Sequence, residues 1–228
     1  MAEPLVIAGA GGFGRETAEA VRAINAARSA SSAAPWDLLG FLDDDPGRRG
    51  AAASGVAILG PLDELEARPD ASVAVCTGHP GDFASRRRIV RRLELPRERY
   101  ATLVHPAAVL PDSCRVGEGT VVLAGAVATV DVEIGAHVAV MPQAVLTHDD
   151  RVGDFATLGA GVRLAGGVLV DDGAYLGAGC LVREGLEIGA GALVGMGAVV
   201  TRDVPAGEVW AGVPARFVRA VEARPGGV

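Results

Sequence analysis

The chain contains no lysine: all 21 basic residues are arginine, set against 28 acidic ones for a formal charge of -7 over 228 residues. An acidic balance without a basic stripe excludes nucleic acid as an expected partner. Aromatic residues make up only 4%, too few for an ordinary layered core. The three cysteines, Cys76, Cys114 and Cys180, show neither CxxC nor paired spacing. That argues against a disulfide framework or a zinc site and fits reduced thiols in a cytoplasm. Met1 to Ala10 lacks the basic and apolar regions of a leader, and its apolar run is only a strand long, so neither export nor a membrane span is expected.

What the chain does have is small and apolar: 32 glycines and a half-apolar composition, which suit a tightly stacked repeat. A step of six from Val104 meets Leu110, Val116, Val122, Ala128, Ile134, Val140, Leu146, Val152, Leu158, Leu164, Val170, Leu176, Val182, Ile188, Val194 and Val200. The register holds through Pro205, and glycine often follows the anchor. Six is neither the helical nor the strand period, so each hexad reads as a short strand plus a turn with its anchor pointing inward. Three hexads make one triangular coil, and stacked coils give three parallel sheets around an apolar axis. Cys114 and Cys180 fall at the fifth hexad position, as do Ala126, Ala144 and Ala156, and read as small packing residues.

The first hundred residues read differently. A buried strand, Leu5 to Ala8, runs into Gly9-Ala10-Gly11-Gly12-Phe13-Gly14 and then a helix, Arg15 to about Ala27. This GxGxxG turn brings backbone amides to a helix N-terminus, where a phosphate is well placed. A second strand, Leu38 to Leu42, ends in Asp43-Asp44-Asp45; an acidic side chain there suits ribose or base recognition, or is simply a solvated turn. A helix near Leu62 to Ala67, a strand Ser72 to Thr77, an arginine-rich helix Phe83 to Leu95 and a short strand Ala101 to Val104 complete an open α/β sheet. Arg86, Arg87, Arg88, Arg91 and Arg92 read as a solvated helix face rather than a phosphate site. One mononucleotide-binding half fits, and an Ala/Ser-rich insertion separates the acidic cluster from the glycines, which disfavours a nicotinamide dehydrogenase.

Four histidines are available as a general base. His79 and His105 each precede proline and read as turn and linker residues. His137 and His148 lie on hexad positions facing away from the coil axis. His148 is followed by Asp149 and Asp150, and a carboxylate beside imidazole fixes its tautomer and stabilises the imidazolium. Asp149 is the first choice of partner and Asp150 the reserve.

The glycine turn, the Phe41-Leu42-Asp43-Asp44 segment, the hexads and the Thr147 to Gly153 segment together resemble the sialic-acid and bacillosamine acetyltransferase family. That resemblance covers almost the whole chain. It implies a Rossmann-like nucleotide-binding domain over residues 1–102, a left-handed β-helix over 103–210 and a capping tail over 211–228. It implies a homotrimer using acetyl-CoA, with no metal, acting on the amino or hydroxyl group of a sugar, with a nucleotide-linked 4-amino sugar as the first choice of acceptor. Carried over residue by residue, His148 becomes the base, with Asp149 beside it. Gly166 is implied as the oxyanion donor and Arg202 and Arg216 as CoA contacts, with Arg219 close by. Gly9, Gly11, Gly12, Phe13, Gly14, Asp43 and Asp44 are implied to hold the nucleotide. Two departures matter: Phe13 and Thr157 stand where relatives often carry histidine. They keep open a small acceptor not linked to a nucleotide, and a non-catalytic repeat module is a further reading. A carbonic-anhydrase-like zinc site needs three histidine ligands, and the coils offer only His137 and His148 beyond the junction.

Overall fold

The computed structural model describes residues 2–29 and 35–222, so most of the Ala/Ser-rich insertion lies outside the described residues. The front of the chain forms a five-stranded sheet in the order β3-β4-β2-β1-β5, with β1 (Glu3–Ala8), β2 (Trp36–Leu42), β3 (Ala52–Ala53), β4 (Val56–Gly60) and β5 (Ser72–Val75). Pairing is parallel except between β3 and β4. That hairpin, unforeseen in the sequence, turns on Ser54 and Gly55, both at positive φ, as a two-residue connection between twisted strands requires. Helix α1 (Gly12–Ser29) starts directly at the glycine turn. The helix expected from Leu62 to Ala67 is instead one 3-10 turn, Leu62–Leu65, because Pro61 and Pro69 confine it.

The strand expected from Ala101 to Val104 is split: its start, with Tyr100, bridges β5 at Val73, while β6 (Leu103–Val104) pairs with Val121–Val122 and opens the coil stack. From there, two-residue strands recur every six residues and pair in parallel with partners eighteen residues on, such as Glu133↔Arg151 and Ala139↔Thr157. Three walls result. Sheet 1 runs from Arg115–Val116 to Glu187–Ile188. Sheet 2 runs from β6 to Leu193–Val194 and continues into Glu208–Gly212 and Ala215–Ala220. Sheet 3 runs from Val127–Ala128 to Val199–Val200. The second residue of each pair points inward, and with the fifth-position alanines it forms one continuous buried core from Val122 to Ala215. Trp210 belongs to that core and closes its last coil.

From Val116 to Val194 the corner residue three after each anchor takes the left-handed conformation. It is glycine at most corners, but Asp131, His137, Gln143, Asp149 and Phe155 occupy five consecutive ones. Left-handed backbone is costly for residues with a side chain, so these corners trade local comfort for side chains at the edges of the prism. The front sheet docks on the outer face of sheet 2: Leu5, Ile7, Ala18 and Val21 share a core with Leu103, Val121 and Leu123.

The arginine-rich helix α2 (Ser85–Leu93) is not a free solvated face. Arg86 is fully buried. It donates to the carbonyls of Thr77 (2.8 Å), His137 (2.7 Å), Phe155 (3.0 Å) and Ala156 (3.0 Å) and to Thr157 Oγ1 (2.8 Å). Arg87 lies over the Phe155 ring, Arg88 forks onto Asp82, and Arg92 bridges Asp44 and Asp63. A guanidinium with five donors in a fixed fork satisfies several carbonyls at once, and that docks the front domain on the coils.

Candidate active site

Between sheets 3 and 1 the chain turns from Val145–Leu146 to Arg151–Val152, and this corner carries His148 and Asp149. Asp149 sits at φ 64°, a region that aspartate tolerates better than most residues. Its carboxylate folds back onto the imidazole, with Oδ2 2.8 Å from His148 Nδ1. An ionised carboxylate only accepts, so Nδ1 carries the proton and Nε2 keeps its lone pair.

The next coil places Gly166 directly under the ring. A Cβ there would overlap Nε2, Cε1 and Cδ2 of His148, so only glycine permits this stacking. Gly167 N–H donates 2.8 Å to the His148 carbonyl, and no acceptor among the described residues takes the Gly166 N–H. The imidazole therefore lies against a residue whose amide is free.

Asp150 is fully buried and does not reach the imidazole. Its Oδ2 accepts from Thr147 N (2.7 Å) and its Oδ1 from Val168 N (2.8 Å). Burial pushes its carboxyl up to about 6, against the opposing pull of these two amides and of His148.

His137 points away from the coil axis, as expected, but the front domain covers it. It is buried between Tyr100, edge-on at 4.6 Å, and Phe155, stacked at 5.0 Å. Its Nδ1 has no hydrogen-bond partner, and burial lowers its pKa. A ring packed this way has no hydrogen-bonded carboxylate among the described residues and is closed to substrate. His79 and His105 accept from the amides of Gly81 (3.1 Å) and Ala107 (3.0 Å), which are turn roles. Thr157 is buried under Arg86.

At the ends of β1, β2 and β5 a recess of about 180 Å³ is lined by Gly9, Leu42, Asp43, Asp44, Leu62, Thr77 and Ile89. Asp43 accepts from Ala10 N (2.9 Å) and from Arg48 (3.2 Å), while Asp44 accepts from Leu62 N (2.9 Å) and Arg92 (2.6 Å). Both carboxylates thus brace the loops around the recess. Gly9 and Gly14 are required sterically: a Cβ on Gly9 would meet the Cys76 carbonyl at 2.7 Å, and one on Gly14 would overlap the Gly9 carbonyl. Gly11 and Gly12 face open space. Phe13 packs into the core shared with sheet 2 and is not among the residues lining the recess.

Arg202 and Arg216 are exposed near the last coil; Arg216 donates to its neighbour Ala215 O. A groove of about 490 Å³ follows the outer face of sheet 1 past Arg115, Glu133, Arg151 and Leu169 without including His148. Arg86 is the residue that the sequence reading misplaced. Its signal was available, since positions 86, 89, 90 and 93 share one helical face with the apolar Ile89, Val90 and Leu93.

A stacked parallel coil with an imidazole–carboxylate pair at one corner, above a glycine of the next coil, defines an acyltransferase of the hexapeptide-repeat class. No family model and no curated protein matches the sequence. Solved structures do. PerB from Caulobacter crescentus, in complex with CoA and GDP-perosamine, is 33% identical over 94% of this chain and 97% of its own, with a TM-score of 0.80. The acetyltransferase domain of PglB from Neisseria gonorrhoeae, in complex with acetyl coenzyme A, is 26% identical over 96% and 100%, with a TM-score of 0.78. WeeI from Acinetobacter baumannii is 29% identical over 94% and 99%, also at 0.78. The chain belongs to this family of hexapeptide-repeat sugar N-acetyltransferases. It is an acetyl-CoA-dependent acetyltransferase whose coil stack matches the left-handed β-helix of that class. No helix among the described residues is long and apolar enough to cross a membrane.

Proposed function

We propose that this enzyme moves the acetyl group of acetyl-CoA directly onto the amino group of a nucleotide-linked 4-amino sugar, with His148 as general base. The observation that carries this is the His148–Asp149 contact of 2.8 Å, with the imidazole seated on a position that only a residue without a Cβ can fill. The acceptor amine attacks the thioester carbon, and His148 Nε2 takes the proton that the nitrogen sheds. Asp149 stabilises the imidazolium. The Gly166 N–H donates to the oxyanion. Collapse of the tetrahedral intermediate breaks the C–S bond, and the imidazolium proton goes to the departing thiolate of CoA.

In this reading residues 1–102 form a Rossmann-like domain. Gly9, Gly11, Gly12, Gly14 and the loop of Asp43 and Asp44 hold the nucleotide beside Phe13. Residues 103–210 are the catalytic coils, and the described part of the tail, 211–222, forms a cap, the rest of the expected tail lying outside the described residues. Arg202 and Arg216 meet the phosphates of CoA. His148 is 64% exposed, an open setting that a neighbouring subunit of a trimer would close. Val109 and Leu181 lie exposed on the sheet 3 side, which supports such an assembly.

Release of CoA from acetyl-CoA, measured with GDP-, UDP- and dTDP-linked 4-amino sugars, tests the reading. Turnover with at least one of them, lost in His148→Ala and kept in His137→Phe, is the expected result. If only small free amines are acetylated, the acceptor assignment fails. Sedimentation equilibrium gives the subunit count, with three chains expected.

A further inference from the structure

The fifth position of each hexad is an interior packing slot. Reading every sixth residue from Ala108 to Val204, it holds Ala, Cys, Val, Leu or Thr everywhere except at Asp150. A carboxylate has therefore been placed, with no solvent access, in a slot that seven other hexads fill with alanine. Burying a charged group is costly without compensation, and here its two oxygens take two backbone amides from different coils.

What those amides do elsewhere shows the effect. The N–H groups of Val162, Ala174 and Cys180 return to the carbonyl three residues earlier and close their own turns. At the Gly166–Gly167 corner, the equivalent N–H, that of Val168, goes instead to Asp150 Oδ1 (2.8 Å). The other oxygen accepts Thr147 N (2.7 Å), while Asp150 N donates to the Thr147 carbonyl (3.4 Å). One side chain thus closes the His148 turn on itself and ties it to the turn of Gly166. Thr120, the other polar occupant of these slots that bonds in this way, accepts Val138 N (2.9 Å) beneath His137.

We propose that Asp150 is a positioning residue that, as a carboxylate, locks the His148–Asp149 corner over Gly166 and so sets the distance between base and oxyanion donor. The proposal rests on His148 being the base. The titratable groups around it are His148 and Asp149 on its own corner, while Thr147 and Val168 face it with backbone amides. A protonated carboxyl keeps one good acceptor oxygen and turns the other into a donor, which cannot serve both amides. The lock therefore opens in acid, and the carboxyl titrates near pH 6.

Asp150→Ala restores the commonest residue of the slot and lets Val168 N–H close its own turn. The variant should fold, as checked by circular dichroism and by retained acetyl-CoA binding. Steady-state kinetics should give a kcat lower by about thirtyfold, with both KM values within about twofold. The acid limb of log kcat against pH, to which both Asp150 and the base His148 contribute in the wild type, should become shallower as the Asp150 contribution is lost and that of His148 remains. Should Asp150→Ala not fold, isosteric Asp150→Asn is read the same way. An unchanged kcat and pH profile in a folded variant overturns the proposal, as does a loss confined to KM. Nitrogen-15 shifts of the His148 ring separate this from the function itself. If the wild type acetylates no nucleotide sugar, the acceptor reading has failed, yet the ring still reports on the lock. A single Nδ1–H tautomer in the wild type that becomes a mixture in Asp150→Ala supports it, and an identical ring spectrum in both refutes it.

Discussion

At the His148 corner each residue type follows from one physical requirement, and each requirement yields a test. To act as the proposed base, the imidazole must present an unprotonated Nε2, so Nδ1–H needs an acceptor, and Asp149 supplies it at 2.8 Å. Replacing His148 by alanine should lower kcat by about 10² to 10⁴, the range for removing a general base. Asp149→Asn should lower kcat by only about ten- to hundredfold, because the amide still orients the ring but no longer favours the imidazolium. Stopped-flow detection of free thiol measures both. Gly166→Ala is the sharper test of geometry: its Cβ would overlap the ring, so His148 must rotate off Asp149. We expect kcat to fall about as far as in His148→Ala, with the melting temperature within a few degrees of wild type as the check on folding. The His148–Asp149 pair was legible in the sequence as an imidazole next to a carboxylate inside a hexad, and the structure brings the two into contact. Asp150 was legible as an acid but not as a staple. Which of two adjacent carboxylates meets the ring depends on the left-handed φ of Asp149, which no residue pattern displays.

The coil strands and the helix α2 differ in how openly the sequence writes them. Hexads announce themselves through anchors that never leave register, since every strand buries one residue in the same core. The short strand after residue 101 belonged to that register, and its pairing with Val121–Val122 follows from Val104 being an anchor. Charge dominates α2 in the sequence and hides its inner face, where Arg86 sits in line with Ile89, Val90 and Leu93. Without a carboxylate partner among the described residues, this buried cation is held by four carbonyl dipoles and the Thr157 hydroxyl, and burial lowers its pKa to about 10, so it stays charged at neutral pH. Arg86→Met removes the donors and leaves four carbonyls and the Thr157 hydroxyl without them. At about 1 to 3 kcal/mol for a buried polar group left unpaired, and with water replacing some of the bonds, a destabilisation of about 3 kcal/mol or more is expected. Arg86→Lys should recover only part of it, since one ammonium cannot span the fork. Urea unfolding of the two variants decides this; equal stability of Arg86→Met and wild type would remove the clamp from the account.

At the scale of the whole molecule, two architectures meet along sheet 2. Each was readable alone, the front one as strand, glycine turn and helix, the rear one as hexads. Their junction was not, because the residues that make it are dispersed over Tyr100, His137, Phe155 and Arg86, and each has an ordinary role within its own element. His137 makes that junction sensitive to acid. Burial favours its neutral form; Glu118 and Asp154 pull the other way, while Arg86 and Arg97 oppose the charge. The folded pKa therefore lies below the unfolded value of about 6.5. Between the two, the unfolded chain binds more protons, so stability rises with pH across that window. The contribution of His137 is complete above about 6.5 and is lost as pH falls through the depressed folded value. Asp150 acts in the opposite sense: its folded pKa is raised to about 6, so its contribution is complete below the unfolded value of about 3.9 and lost as pH rises through 6. The two slopes oppose each other where their windows overlap in mild acid, and single variants separate them. His137→Phe keeps an aromatic ring between Tyr100 and Phe155 while removing the proton site. Relative to wild type it should gain melting temperature at pH 5.5 over what it shows at pH 7.5, whereas Asp150→Asn should gain more at pH 7.5 than at pH 5.5. Scanning calorimetry at the two pH values reads both, and a His137→Phe difference that does not change with pH would mean that this imidazole stays neutral in the unfolded chain as well.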